Sequence, residues 1–66
     1  MMKLARTYYE MAIESHIDGE TEIAQGYAKD CALIVKKILE FDSDNSTAVD
    51  LQIDIYHKFG IELSNI

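Results

Sequence analysis

Residues 20–41 read ETEIAQGYAKDCALIVKKILEF, and the spacing of their apolar members decides the fold. Ala24, Tyr27, Ala28, Cys31, Ile34, Val35 and Ile38 recur at steps of three and four, which aligns them on one stripe of a helix. Gly26, Lys29, Asp30, Leu33, Lys36, Lys37 and Glu40 fall on the opposite face. Glu20 and Glu22 stand where acids suit the positive end of a helix dipole, and Lys36 and Lys37 stand near the other end. A helix is predicted over 20–41, about 30 Å long at 1.5 Å per residue. Leu33 is the one large apolar residue on its outer face.

Working toward the N-terminus, Asp18-Gly19 marks a turn, and before it Lys3, Arg6, Thr7, Glu10 and Glu14 recur at helical steps. They leave Leu4, Ala5, Tyr8, Tyr9, Met11, Ala12, Ile13 and Ile17 on a wide apolar arc, so a first helix is predicted over 2–17. Toward the C-terminus, Asp42-Ser43-Asp44-Asn45-Ser46 is a run of capping and turn residues. A third helix follows over 46–60, with Ala48, Val49, Leu51, Ile53, Ile55, Tyr56 and Phe59 expected inward and Gly60 as its left-handed stop. Residues 61–66 are expected to form a docked or frayed tail. Short links force neighbouring helices antiparallel, so the expected architecture is all-α: one domain, a three-helix up-down-up antiparallel bundle, with a repeat-like helical hairpin followed by a third helix.

Sixty-six residues, 48% of them hydrophobic and 27% charged, are enough to fold but too few to bury a large core. The formal net charge of −6 opposes direct contact with nucleic-acid phosphates and favours a basic protein partner. One cysteine cannot form an internal disulfide, no apolar run is long enough to span a membrane, and the first residues lack the pattern of a secretion signal. A cytoplasmic protein with no membrane contact is expected.

Met1, Leu4, Ala5 and Tyr8 follow the spacing of the W-x2-L-G-x2-Y pattern, and in this the chain resembles a tetratricopeptide repeat. Phe41-Asp42-Ser43-Asp44-Asn45 resembles the acidic link after the second helix of such a repeat, and Ala48-Val49 with Tyr56 and Gly60 resembles the start of the next. Gln52 and Ile53 stand where the repeat has Leu and Gly, Ser43 stands where proline is usual, and Tyr8 and Tyr56 are further apart than the repeat length of about 34 residues. Through Ala12, Ala24 and Tyr27 the chain is similar to a microtubule-interacting-and-trafficking domain as well. Either likeness implies peptide or helix binding in a groove between helices and no enzymatic activity. One and a half repeats imply recruitment of a second copy.

Motifs that could carry chemistry are incomplete. Asp42-x-Asp44-x-Ser46 opens like a calcium loop, but Thr47 occupies the glycine position and Ile53 the position of the bidentate acid. Asp18-x-Glu20-x-Glu22 fails likewise at Ile23 and Lys29. Asp54-x-x-His57 supplies one of the two such pairs that a di-iron bundle needs. His16 suits the negative end of the first helix, and Cys31 falls within the buried stripe, away from any base. No metal, cofactor or catalytic residue is therefore expected.

The expected function is a self-associating protein-interaction module. Its expected contact residues are Leu33, Ile53, Tyr56, Phe59, Ile61 and Leu63, because the third helix carries apolar residues on more than one flank. The alternative is an acidic inhibitor of the viral or plasmid type that imitates nucleic acid and blocks a basic nucleic-acid-binding protein. Its patch would be Glu40, Asp42, Asp44, Asp50 and Asp54. An apolar contact changes little with salt, whereas phosphate imitation weakens steeply as ionic strength rises.

Overall fold

The computed structural model describes residues 2–66, which form α1 (Met2–Ile17), α2 (Thr21–Phe41), α3 (Ser46–Phe59) and a closing 3-10 turn, Leu63–Asn65. Met1, which opens the repeat-like pattern, lies outside the described residues. The helix ends follow the local chemistry. Gly19, at φ +79°, stops α1 in a Schellman arrangement: the Glu20 amide donates to the Ser15 carbonyl at 2.9 Å and the Gly19 amide to the His16 carbonyl at 3.1 Å. Asn45 caps α3 by accepting the Ala48 amide at 3.0 Å on its side-chain oxygen, a contact worth on the order of 1 kcal/mol. Gly60, at φ +70°, ends α3 with a single bond from its amide to the Tyr56 carbonyl, and Ile61 just beyond it packs onto the core. α2 begins at Thr21 on Glu20, whose side chain makes no capping bond.

Two buried clusters define the order of the helices. Ala12 of α1, Ala24 and Ala28 of α2 and Phe59 of α3 form one cluster at the α1–α2 turn. Ala5 of α1, Cys31, Ala32, Val35 and Ile38 of α2 and Ala48, Leu51 and Ile55 of α3 form the other. Late α1 therefore meets early α2 and late α3, which is the up-down-up bundle. α2 is the central helix, with α1 packed along it and α3 against it, while α1 and α3 meet less. The molecule is accordingly flat, 34 × 23 × 15 Å.

Among the described residues six of the twelve that form the buried core are alanines, and the largest fully buried side chains are only Ile55, Val35 and Cys31. Alanine on facing surfaces lets helix axes approach toward the short end of the usual 8–10 Å range. It also means that little apolar area is removed from water per residue, at roughly 25 cal/mol per Å2. A small core of small side chains leaves modest stability.

Several positions differ from the sequence expectation. Leu4 is 52% exposed and Ile17 76% exposed, although both lie on the apolar arc of α1. The arc is wider than the strip that α2 covers, and Ile17 sits at the helix end, past the last contact. On α3, Ala48, Leu51, Ile55 and Phe59 form the buried stripe, while Ile53 and Tyr56, expected inward, are each 48% exposed. Two residues of helix turn through about 200°, so Ile53 points away from the face that holds Leu51 and Ile55. Ala32, absent from the stripe read in the sequence, is fully buried because α2 is covered by α3 as well as by α1.

Candidate interaction surface

The second flank of α3 is the site at which large side chains remain uncovered. Ile53 and Tyr56, one turn apart, form one wall of an open hollow of 360 Å3, and Ile61 and Leu63 of the tail form the other. Gln52 and His57 stand at its polar edges, with the His57 ring edge-on to Tyr56 at 5.6 Å between centroids. The tail reaches this position because Gly60 turns the chain back across the bundle. Ile61, Leu63 and Ile66 pack against the larger core cluster, and the Lys36 ammonium donates to the Ile66 carbonyl at 2.6 Å. On the other side of the tail a second hollow, of 340 Å3, opens between Gly26 and Lys29 of α2 and Asn65 and Ile66.

The expected contact set is thus divided by the fold. Leu33, Ile53 and Tyr56 are exposed. Phe59 is not: it is 8% exposed and fills the space against Ala12, Ala24 and Ala28, its carbonyl accepting from Gln25 at 3.2 Å and its ring meeting the edge of His16. The cause is its place in the last turn of α3, where the stripe passes over the alanines of α1 and α2. Ile61 and Leu63 are half-buried within the same chain, so they offer edges, not open faces, to a partner.

The acids Glu40, Asp42, Asp44, Asp50 and Asp54 are all exposed. Asp54 is drawn toward α1, accepting from the Tyr9 hydroxyl at 3.3 Å, and Lys58 donates to the same hydroxyl at 2.8 Å. The hydrogen bond to Tyr9, with the nearby Asp54 charge, holds the Lys58 ammonium above its ordinary pKa. The Lys58 nitrogen is 5.4 Å from the Tyr9 ring centroid and far closer to the hydroxyl, so it lies outward along the C–O bond and not over the ring face that a cation–π contact needs. Tyr8, rotated from Tyr9 by about 100°, instead packs on Tyr27 of α2 at 6.2 Å. The adjacent tyrosines therefore tie α1 to two different helices. Phe41, which the sequence reading placed only in the acidic link after the second helix, is 88% exposed at the end of α2 among Glu40, Asp42 and Asp44. Only its place at a helix end, beyond the last stripe residue Ile38, could have signalled it.

Among the described residues no group of three or more histidine, cysteine or acidic side chains is placed to hold a metal ion. Among the described residues no helix is long and apolar enough to cross a membrane. No family model, curated protein or solved structure matches the chain.

Cys31 is fully buried, and its thiol lies 3.1 Å from the Ala5 carbonyl, to which it donates. Burial disfavours the thiolate and pushes its pKa up from 9.0 to about 11. A thiol reagent at pH 8 should accordingly label Cys31 slowly in the folded protein and rapidly in denaturant. Because the folded pKa is the raised one, the linked stability is complete below about pH 9 and is lost as pH rises through about 11. Rapid labelling of the native chain would show that the α1–α2 seam is open.

Proposed function

We propose that this protein is a small, acidic, non-enzymatic interaction module of the cytoplasm that associates with a second copy of itself through the exposed flank of α3. The observation that carries the reading is the pair Ile53 and Tyr56, each 48% exposed and jointly walling an open hollow in a chain whose own core is built largely of alanine. Such a chain gains more from covering these side chains than one with a full core of its own. A stable dimer buries about 1,200–2,000 Å2 in total, some 600–1,000 Å2 per chain, against 4385 Å2 of accessible surface here. The resemblance to helical modules that bind in grooves between helices points the same way.

Sedimentation equilibrium at micromolar concentration tests this. The expected mass is twice 7.5 kDa. Ile53→Asp and Tyr56→Asp should each return the chain to monomer with its helical circular dichroism unchanged, since each places a charge in a desolvated contact without touching the core. Raising salt should leave the dimer intact or strengthen it, because two chains of charge −6 repel. A 7.5 kDa species at every concentration rejects the reading. A second reading, an acidic inhibitor that imitates nucleic acid on a basic protein, draws on exposed Glu40, Asp42, Asp44 and Asp50 with Phe41 projecting among them. Binding to a basic partner that is lost steeply as salt rises would favour it over the first.

A further inference from the structure

We infer that residues 61–66 exchange between two copies of the chain, each tail occupying on its partner the seat it holds here on its own bundle. The inference rests on the self-association proposed above and names its mechanism. Three observations carry it. First, the tail is a strap with an open hollow on either side, of 360 and 340 Å3, and Ile61 and Glu62 line both. Its seat is therefore accessible from two directions. Second, its attachment is apolar and short: Ile61, Leu63 and Ile66 are half-buried on the core, and the side-chain hydrogen bond that ties it to the body is Lys36 to the Ile66 carbonyl. The bonds from Asn65 to Glu62 and from Ile66 to Leu63 stay inside the tail and travel with it.

Third, the tail departs at Gly60, a left-handed residue at φ +70° around which an added Cβ would meet nothing within 4 Å. The turn back across the bundle thus needs the left-handed backbone of this one residue, and nothing is packed against its Cβ position. Six residues extended from that point span about 20 Å, enough to reach an adjoining bundle. An exchanged tail makes the same contacts as a folded-back one, so the complementarity of the seat is already present in the single chain. Tyr56 lies one turn before the hinge, so in a two-fold pair the crossing chains bring both copies of Tyr56, with Ile53, to the junction. That covers the residues left exposed here.

The test combines mass, position and hinge. Lys29 and Asn65 border the 340 Å3 hollow. Chains carrying Lys29→Cys and chains carrying Asn65→Cys are refolded together and treated with a short bis-maleimide, with the parent chain, whose Cys31 is buried, as control. Exchange predicts a covalent dimer joining the two variants. Gly60→Ala, which opposes the left-handed turn in the folded-back form only, should raise the association constant about tenfold or more. Gly60→Asn, which tolerates that turn, should change it much less. If sedimentation shows a dimer but Lys29→Cys/Asn65→Cys in one chain cross-links only within that chain, exchange is wrong while self-association stands. A monomer at every concentration removes both.

Discussion

Ile55→Ala should lower the melting temperature by about 8 °C or more. Ile55 is 1% exposed and is the largest side chain wholly inside the bundle, where it joins Leu51 and Ala48 of α3 to Val35 and Ile38 of α2. Removing its three outer carbons takes away their transfer from water and leaves a cavity that the helices only partly close, which typically costs 2–5 kcal/mol, or about 4–8 °C per kcal/mol in a domain of this size. Few domains of this length have much more stability than that to lose. Ile53→Ala, two residues away on the exposed flank, should shift the midpoint by only a few degrees. Thermal melts followed by circular dichroism compare the two, and equal effects at both positions would contradict the stripe assigned to α3. In a dimer the comparison is made at a concentration low enough for the monomer to dominate, because burial of Ile53 by a partner would add to its apparent effect.

Ala28→Leu should be the most damaging enlargement. Ala28 has no exposed surface and lies in the cluster where α1 and α2 meet through Ala12 and Ala24. Three added carbons cannot find a rotamer there without moving α1 or Phe59, and overpacking of this kind typically costs about 1–3 kcal/mol and occasionally more. The urea midpoint should fall while the slope of the transition stays the same. Separation of the helices should also speed labelling of Cys31, one turn further along α2. Lys29→Leu places the same side chain at an exposed neighbour and should leave both readings near those of the parent chain. An Ala28→Leu protein as stable as the parent would mean that the helix seam has room that the buried alanines deny.

Helix number, helix ends and chain direction are all legible in the sequence alone. Gly19, Asn45 and Gly60 act on amides and carbonyls within a few residues of themselves, so the sequence around each is sufficient to locate its turn. The inward stripe of α2 is legible for a related reason, since period alone orders the residues of a helix covered along its length, except that Ala32, buried by the second covering helix, falls outside it. For α3 the same reading placed Ile53, Tyr56 and Phe59 both inward and in the contact set, and the bundle divides them: Phe59 is buried, while Ile53 and Tyr56 are left exposed. Period shows which residues share a face but not which of two apolar faces is covered.

That choice belongs to the tertiary structure. α3 has apolar residues on two flanks and only α2, with part of α1, to lie against, so the flank of Leu51 and Ile55 is buried and that of Ile53 and Tyr56 is left at the surface. The tail could have frayed or docked, and its half-buried Ile61, Leu63 and Ile66 settle on a seat that exists only once α2 and α3 are side by side. The sequence by itself determined the three helices, their caps and the acidic surface, because those depend on neighbours along the chain; the exposed flank and the seat of the tail depend on the area two helices leave uncovered after they pack, which no local pattern contains.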